Sequence, residues 1–170
     1  MTDHLLEKQA KALYHAVTEL VRKYQFRDRN EICCHGISVS QCYTMSTLGE
    51  SGVLSMHELA DKMHLTVSTM TRVIDQLVEK GLAKRKTSPE DRRVCCVQLT
   101  KEGESLLKTI EGELVDVEKQ ILEKIKPTER ETMIRAIEDL SRAMEEWRMK
   151  SRVGAYCNTP LQISRGIMTK

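Results

Sequence analysis

Aromatic residues are scarce in this 170-residue chain: one Trp, one Phe and four Tyr. With charged residues making up 31% of the chain, that balance suits a helical protein with an aliphatic core. No apolar run approaches the roughly 20 residues needed to span a bilayer. The opening, MTDHLLEKQAK, lacks a basic-then-apolar pattern and carries an early acid, so it does not read as a secretory signal. The expected location is the cytoplasm, with no membrane partner. The formal net charge, +2, is too small to name a partner by itself. Six cysteines in a reducing compartment are expected as free thiols or ligands rather than as structural disulfides.

The most informative stretch is LTVSTMTRVIDQLVEKG, from Leu65 to Gly81. Met70, Val73, Ile74, Leu77 and Val78 recur at i, i+3, i+4, i+7, i+8, which places them on one stripe of a helix. The opposite face carries Ser68, Arg72, Asp75 and Glu79, flanked by Thr69, Thr71 and Gln76. Thr66 can cap the start and Gly81 can end the helix in the left-handed conformation. Helices whose outer face is only solvated usually carry more Lys and Glu. This one is slim and polar at its N-terminal end, with one arginine a turn later. On its own the stretch is also compatible with an ordinary solvated surface helix; its neighbours decide.

Upstream, Leu6, Ala10, Leu13, Val17, Leu20 and Tyr24 form a seam on a helix predicted from about Asp3 to Phe26. RDRNEICCHG then reads as a loop. Ser38 with Gln41, and Ser55 with Glu58, have the form of capping boxes. They open a helix running to about Leu48 that stops near Gly49 to Gly52, and a short one with Leu59, Ala60 and Met63 inward. Only His64 and Leu65 separate the latter from Thr66. Two helices joined this tightly form a helix-turn-helix pattern. Downstream come a basic segment, Leu82 to Lys86, and the turn Thr87-Ser88-Pro89-Glu90-Asp91. A strand follows from Arg93 to Leu99, with Cys95, Val97 and Leu99 on one face and Val94, Cys96 and Gln98 on the other. Thr100 caps a long helix with a seam of Leu107, Ile110, Leu114, Val117 and Ile121. Lys126-Pro127 breaks it, and Thr128 with Glu131 is expected to cap a last helix lined by Met133, Ile137, Leu140, Met144 and Trp147. Beyond Met149 the chain loses its period and its acids and reads as a tail, with Cys157 as a candidate exposed thiol.

Basic residues concentrate around the hairpin: Lys84, Arg85, Lys86, Arg92 and Arg93. They can neutralise phosphates, and an arginine at the tip can enter a narrow minor groove. Here SPEDRRVCCVQLTKEG resembles the wing signature D-x-R-x-x-x-V-x-L-T-x-x-G of the multiple antibiotic resistance regulator family, MarR. Asp91, Arg93, Val97, Leu99, Thr100 and Gly103 fall in place, and ELADKMHLTVSTMTRVIDQLVEKGL is similar to the family's helix-turn-helix. The resemblance spans about residues 5 to 148. It departs at His64, where the family often has glycine; histidine tolerates the left-handed region better than most residues.

The resemblance implies a mainly α, winged helix-turn-helix fold with a two- or three-stranded wing, and long N- and C-terminal helices that dimerise. The expected division is 1–37 for an N-terminal helix and sensor loop, 38–103 for the DNA-binding lobe, 104–148 for dimerisation helices and 149–170 for the tail. The implied function is a homodimeric transcription regulator, a repressor, on pseudo-palindromic double-stranded DNA. Recognition helix 66–80 would enter the major groove, and Arg93, oriented by Asp91 through a charge-assisted bond, the minor groove. Arg72 is the first choice for a base contact, gripping guanine O6 and N7 for about 1–3 kcal/mol of discrimination. Ser68, Thr69 and Thr71 are base or phosphate contacts, and Asp75 is expected to pair with Arg72.

An effector remains open. EICCHGISVSQC brings Cys33, Cys34, His35 and Cys42 within ten residues. Cys42, in a first helical turn, is placed where the dipole favours thiolate. Thiolates with imidazole suit zinc, copper(I) or a trivalent arsenical. The alternatives are an organic ligand between helices 1, 2 and 5, or Cys42 as simple core packing. No cofactor is otherwise required. Two other functions compete: a thiol redox enzyme using Cys42 with Cys33 or Cys34, and a protein-interaction winged helix without DNA contacts. Cys95 and Cys96 read as packing, and His4, His15 and His57 carry no assigned role.

Overall fold

The computed structural model describes residues 2–87 and 95–151. In chain order they form α1 (Thr2–Cys33), α2 (Val39–Ser51), β1 (Leu54–Ser55), α3 (Met56–Lys62), α4 (Val67–Glu79), β2 (Ala83–Thr87), β3 (Cys95–Leu99), α5 (Lys101–Glu123) and α6 (Pro127–Ser151). The strands make one antiparallel sheet in the order β1-β3-β2, so the wing has three strands. Val97 is the register centre, opposite Leu54 on one side and Arg85 on the other. Asp91, Arg92, Arg93, Val94 and Cys157 lie outside the described residues.

Local chemistry accounts for most boundaries. Ser38 accepts from the Gln41 amide at 3.2 Å while the Gln41 side chain accepts from the Ser38 amide at 3.1 Å, closing the first capping box. Ser55 and Glu58 close the second, at 3.2 and 2.8 Å. The tight link from α3 to α4 uses His64 at φ 53°. Gly81, at φ 71°, turns the chain out of α4.

Three sequence expectations are corrected. First, α1 does not stop near Phe26 but continues to Cys33. The polar run has an inward side: Ile32 is fully buried, and one turn earlier Asp28 is buried too. Asp28 can be buried because it is saturated, accepting from Arg27 at 2.6 and 2.9 Å and from the Tyr43 hydroxyl. Only Cys34–Gly36 remains as the turn. By contrast, α2 ends at Ser51 on Gly52 at φ 75°, within the stop expected near Gly49 to Gly52. Second, α6 begins at Pro127, so Thr128 lies inside the first turn rather than at the cap. A proline at the first helical position is favourable because that amide would have no partner anyway. Third, that helix continues through Met149 to Ser151, where a tail was expected.

By packing, the chain divides at Glu118, inside α5. The core of the first unit, residues 1–118, is aliphatic: Met45, Leu48, Leu59, Met70, Ile74, Leu77, Val97 and Ile110 are all at most 2% exposed. The second unit, from Lys119, holds the end of α5 and α6. Among the described residues no helix is long and apolar enough to cross a membrane.

The junction between wing and α5 explains the L-T-x-x-G run. The Thr100 hydroxyl donates to Gly81 O at 2.7 Å and accepts from the Gly103 amide at 3.0 Å; the Thr100 amide donates to Leu82 O at 3.1 Å. This draws the first turn of α5 onto the backbone after α4. A Cβ on Gly103 would lie 2.1 Å from Leu82 O, and a backbone atom cannot step aside as a side chain can. Gly103→Ala is therefore expected to cost about 1–3 kcal/mol, the usual range of strain from overpacking. Urea denaturation measures it; a midpoint equal to wild type would show that the junction is not under this constraint.

Candidate nucleic-acid interface

The helix-turn-helix is formed by α3 and α4. On the inner side of α4, Met70, Ile74 and Leu77 are fully buried, with Val73 and Val78 packed against the same core. All five stripe positions thus face as the periodicity predicts. On the outer side Ser68, Thr69, Arg72, Asp75, Gln76 and Glu79 are exposed. At the N-terminal end three hydroxyls converge: Thr66 lies 3.0 Å from Ser68 and 2.9 Å from Thr69, oxygen to oxygen, and also caps the Thr69 amide at 3.2 Å. The free amides and positive dipole end of α4 sit beneath this group, a setting favourable to a phosphate oxygen. Thr71 is half-buried and its hydroxyl donates back to Val67 O at 2.8 Å.

Arg72 and Asp75 do not pair with each other. Asp75 instead accepts from Arg85 of β2 at 2.5 Å, across from α4 to the wing. With both side chains substantially exposed, this pair contributes at most about 1 kcal/mol. Its effect is positional: it holds the Arg85 guanidinium against α4 and leaves Arg72, among the described residues, without a carboxylate partner. Lys84 and Lys86 are exposed on the same strand, after the buried Ala83. Through Arg85, strand β2 is thereby joined to the helix that carries the slim hydroxyls and the Arg72 guanidinium.

The MarR family model matches residues 37–95 of this chain. Over 106 residues it is 31% identical to the HTH-type transcriptional regulator MhqR of Bacillus subtilis, covering 62% of this chain and 72% of that protein. The chain belongs to the MarR family of winged helix-turn-helix transcription regulators. Over 145 residues, 85% of this chain, it is 26% identical to the uncharacterised HTH-type regulator YfiV of the same organism, covering 91% of it. Its fold is similar to that of a MarR family protein from Bacillus stearothermophilus, with TM-score 0.75, 23% identity and coverage of 82% and 97% of the two chains. It is also similar to MarR from E. coli, with TM-score 0.69, 19% identity and coverage of 75% and 95%. MarR proteins are regulators, not catalysts.

The cysteines of this MarR member are not gathered as the sequence suggested. Cys42 is 4% exposed in the core, and burial, with Glu111 and Asp28 adding to it, pushes its thiol up to about 11. Burial thus opposes the thiolate that the helix dipole would favour, and Cys42 sits among the core residues. Cys33, Cys34 and Cys95 are exposed thiols and Cys96 is half-buried, so Cys95 is not packing. Cys34 and His35 meet a residue that no local spacing could announce, Glu113 of α5: the three ligand atoms lie within 4.8 Å of one another. Beside them a cleft of about 520 Å³ is lined by α1 and α2 residues, including Asp28, Arg29, Cys33, Ser38 and Tyr43. Burial and the Asp28 carboxylate push the Tyr43 phenol up to about 12.

Thiol alkylation of the native chain at neutral pH is expected to modify Cys33, Cys34 and Cys95 first. Cys42 should react only as the pH rises toward its own range or on unfolding, because the thiolate is the reactive form. Peptide mass spectrometry at several times reads this directly; Cys42 labelling as fast as Cys34 would overturn the burial argument.

Proposed function

We propose that this chain is a homodimeric transcription regulator acting as a repressor in the cytoplasm on pseudo-palindromic double-stranded DNA. The observation that carries this reading is α4: an apolar stripe with Met70, Ile74 and Leu77 fully buried, beneath an outer face of small hydroxyls and the exposed Arg72. In it, α4 with its caps, residues 66–80, enters the major groove. Arg72 contacts a base, and Ser68, Thr69 and Thr71 contact bases or phosphates at the N-terminal end. Lys84, Arg85, Lys86 and Arg92 neutralise phosphates, and Arg93, oriented by Asp91, reaches the minor groove. Residues 38–103 are the DNA-binding lobe.

Residues 1–37 and 104–148 are assigned to dimerisation. What supports this is apolar surface that a lone chain leaves wet. On α1, Leu5, Leu6 and Leu13 are about half exposed or more, and on α6, so are Ile137, Met144 and Trp147. The effector is either an organic molecule in the cleft between α1 and α2 or a soft or borderline metal at the thiol and imidazole ligands. A protein-interaction module that has lost DNA contacts is the competing reading, and the exposed basic strand speaks against it.

Gel shifts with DNA flanking the chain's own gene should show a complex, and footprints should show half-sites about one helical turn apart. Arg72→Ala is expected to lose about 1–3 kcal/mol on the preferred operator and much less on unrelated DNA. Lys84→Ala and Lys86→Ala should weaken both alike and lower the salt slope by about 0.9 for each phosphate no longer neutralised. Unchanged affinity in Arg72→Ala would remove that residue from the interface; no salt-dependent binding by wild type would end the regulator reading. Ile137→Asp is expected to sediment as a monomer where wild type is a dimer, and to bind DNA more weakly. A dimer of wild-type stability would take α6 out of the dimer interface.

A further inference from the structure

The Cys34–His35–Glu113 group is a mixed thiol, imidazole and carboxylate set drawn from two places in the first unit. Cys34 and His35 lie in the turn after α1, and Glu113 lies three turns into α5. His35 Nε2 is 2.6 Å from Glu113 Oε2, and Cys34 Sγ donates to Glu31 O at 2.9 Å. The His35 side chain is 17% exposed and that of Glu113 49%, so the imidazole is held while the site stays open to entry. We propose that these three residues bind a borderline divalent cation, zinc being the first candidate, and that occupancy bears on the recognition helix through the backbone of the same turn.

Donor chemistry selects the ion. Calcium and magnesium demand oxygen shells, which one carboxylate does not supply. Zinc accepts sulfur, nitrogen and oxygen together in a tetrahedron. Its bond lengths put neighbouring ligand atoms roughly 3.3–3.6 Å apart. The present group, with its three ligand atoms within 4.8 Å of one another, needs the histidine and glutamate atoms, now 2.6 Å apart, to part. On binding, the Cys34 thiol gives its proton to solvent and its hydrogen bond to Glu31 O is broken. The His35–Glu113 hydrogen bond is replaced by two bonds to the ion, and water takes the fourth position. Three protein ligands and a water make a site that can exchange its ion.

The turn is tied to α4. The carbonyl of Gly36, next to His35, accepts from Lys80 Nζ, at the C-cap of α4. Lys80 Nζ also donates to Gln41 Oε1 at 3.2 Å, and Gln41 Nε2 donates to Gln76 Oε1 on α4 at 2.9 Å. A cation that draws Cys34 and His35 toward α5 acts on the residue before the Gly36 carbonyl, and so on the end of the helix that carries Arg72. The consequence for operator affinity rests on the proposed DNA-binding function; the site and its link to α4 do not.

The test uses the full chain, reduced and stripped by a chelator, titrated with cobalt(II) without DNA. One equivalent per chain should give tetrahedral d–d bands and a thiolate-to-cobalt charge-transfer band, both erased by zinc. Cys34→Ser should abolish the charge-transfer band. Glu113→Gln and His35→Gln should weaken binding by at least the roughly 10–100-fold typical of losing even an outer partner. Cys33→Ser and Cys95→Ser should leave the spectrum intact. No charge-transfer band, or its loss in Cys33→Ser with retention in Cys34→Ser, overturns the site. Amide exchange across 36–42 and 76–82 should slow on loading; unchanged protection in both segments overturns the link to α4.

Discussion

The burial of one side of α4 governs what the first unit can do. Met70, Ile74 and Leu77 are each fully buried, and full burial of such a side chain stabilises by about 1.5–3 kcal/mol before entropy is counted. That packing fixes the rotation of the helix about its own axis. Once the axis is set, Ser68, Thr69 and Arg72 have one direction available, away from the core. A slip of one residue would turn Arg72 toward the interior and Met70 toward water. The capping hydroxyl of Thr66 and the left-handed Gly81 set where the helix begins and ends, so rotation and length are both determined.

The wing depends on that same helix. Gly103 lets α5 begin almost in contact with Leu82 O, and Thr100 bridges Gly81 O to the first amides of α5. The strands leaving this junction therefore have little freedom at their base. Higher up, Asp75 and Arg85 join α4 to β2. The ion pair is too exposed to matter much for stability, but it takes the one carboxylate that spacing along α4 would have offered to Arg72.

At the other end of α4, the turn after α1 brings titratable ligands, a cleft and hydrogen bonds to α4 within a few residues of each other. Asp28, Arg27 and Tyr43 anchor the last turns of α1 to α2, and Lys80 and Gln76 anchor the turn to α4. Any molecule or ion that moves this turn acts on a hydrogen-bonded lever rather than on a free loop.

Much of this was legible in the residues alone, because period, caps and turns are local. The five-residue stripe of α4, the capping boxes at Ser38 and Ser55, the φ-positive His64 and the wing signature each depend on neighbours a few positions away. Family membership followed from those. What escaped depends on distant partners. The continuation of α1 through a polar run required Tyr43 to satisfy Asp28 and a core to receive Ile32. The choice of Arg85 over Arg72 for Asp75 required β2 to pass over α4. Of the two readings open for Cys42, ligand or core packing, its surroundings and not its place in the helix set its desolvation, and Glu113 joined Cys34 and His35 only through the packing of α5. Sequence by itself determined which helices form and which side of each is apolar, since both follow from spacing. Tertiary structure alone decided which polar side chains meet, since charge and hydrogen-bond partners are chosen by distance in space.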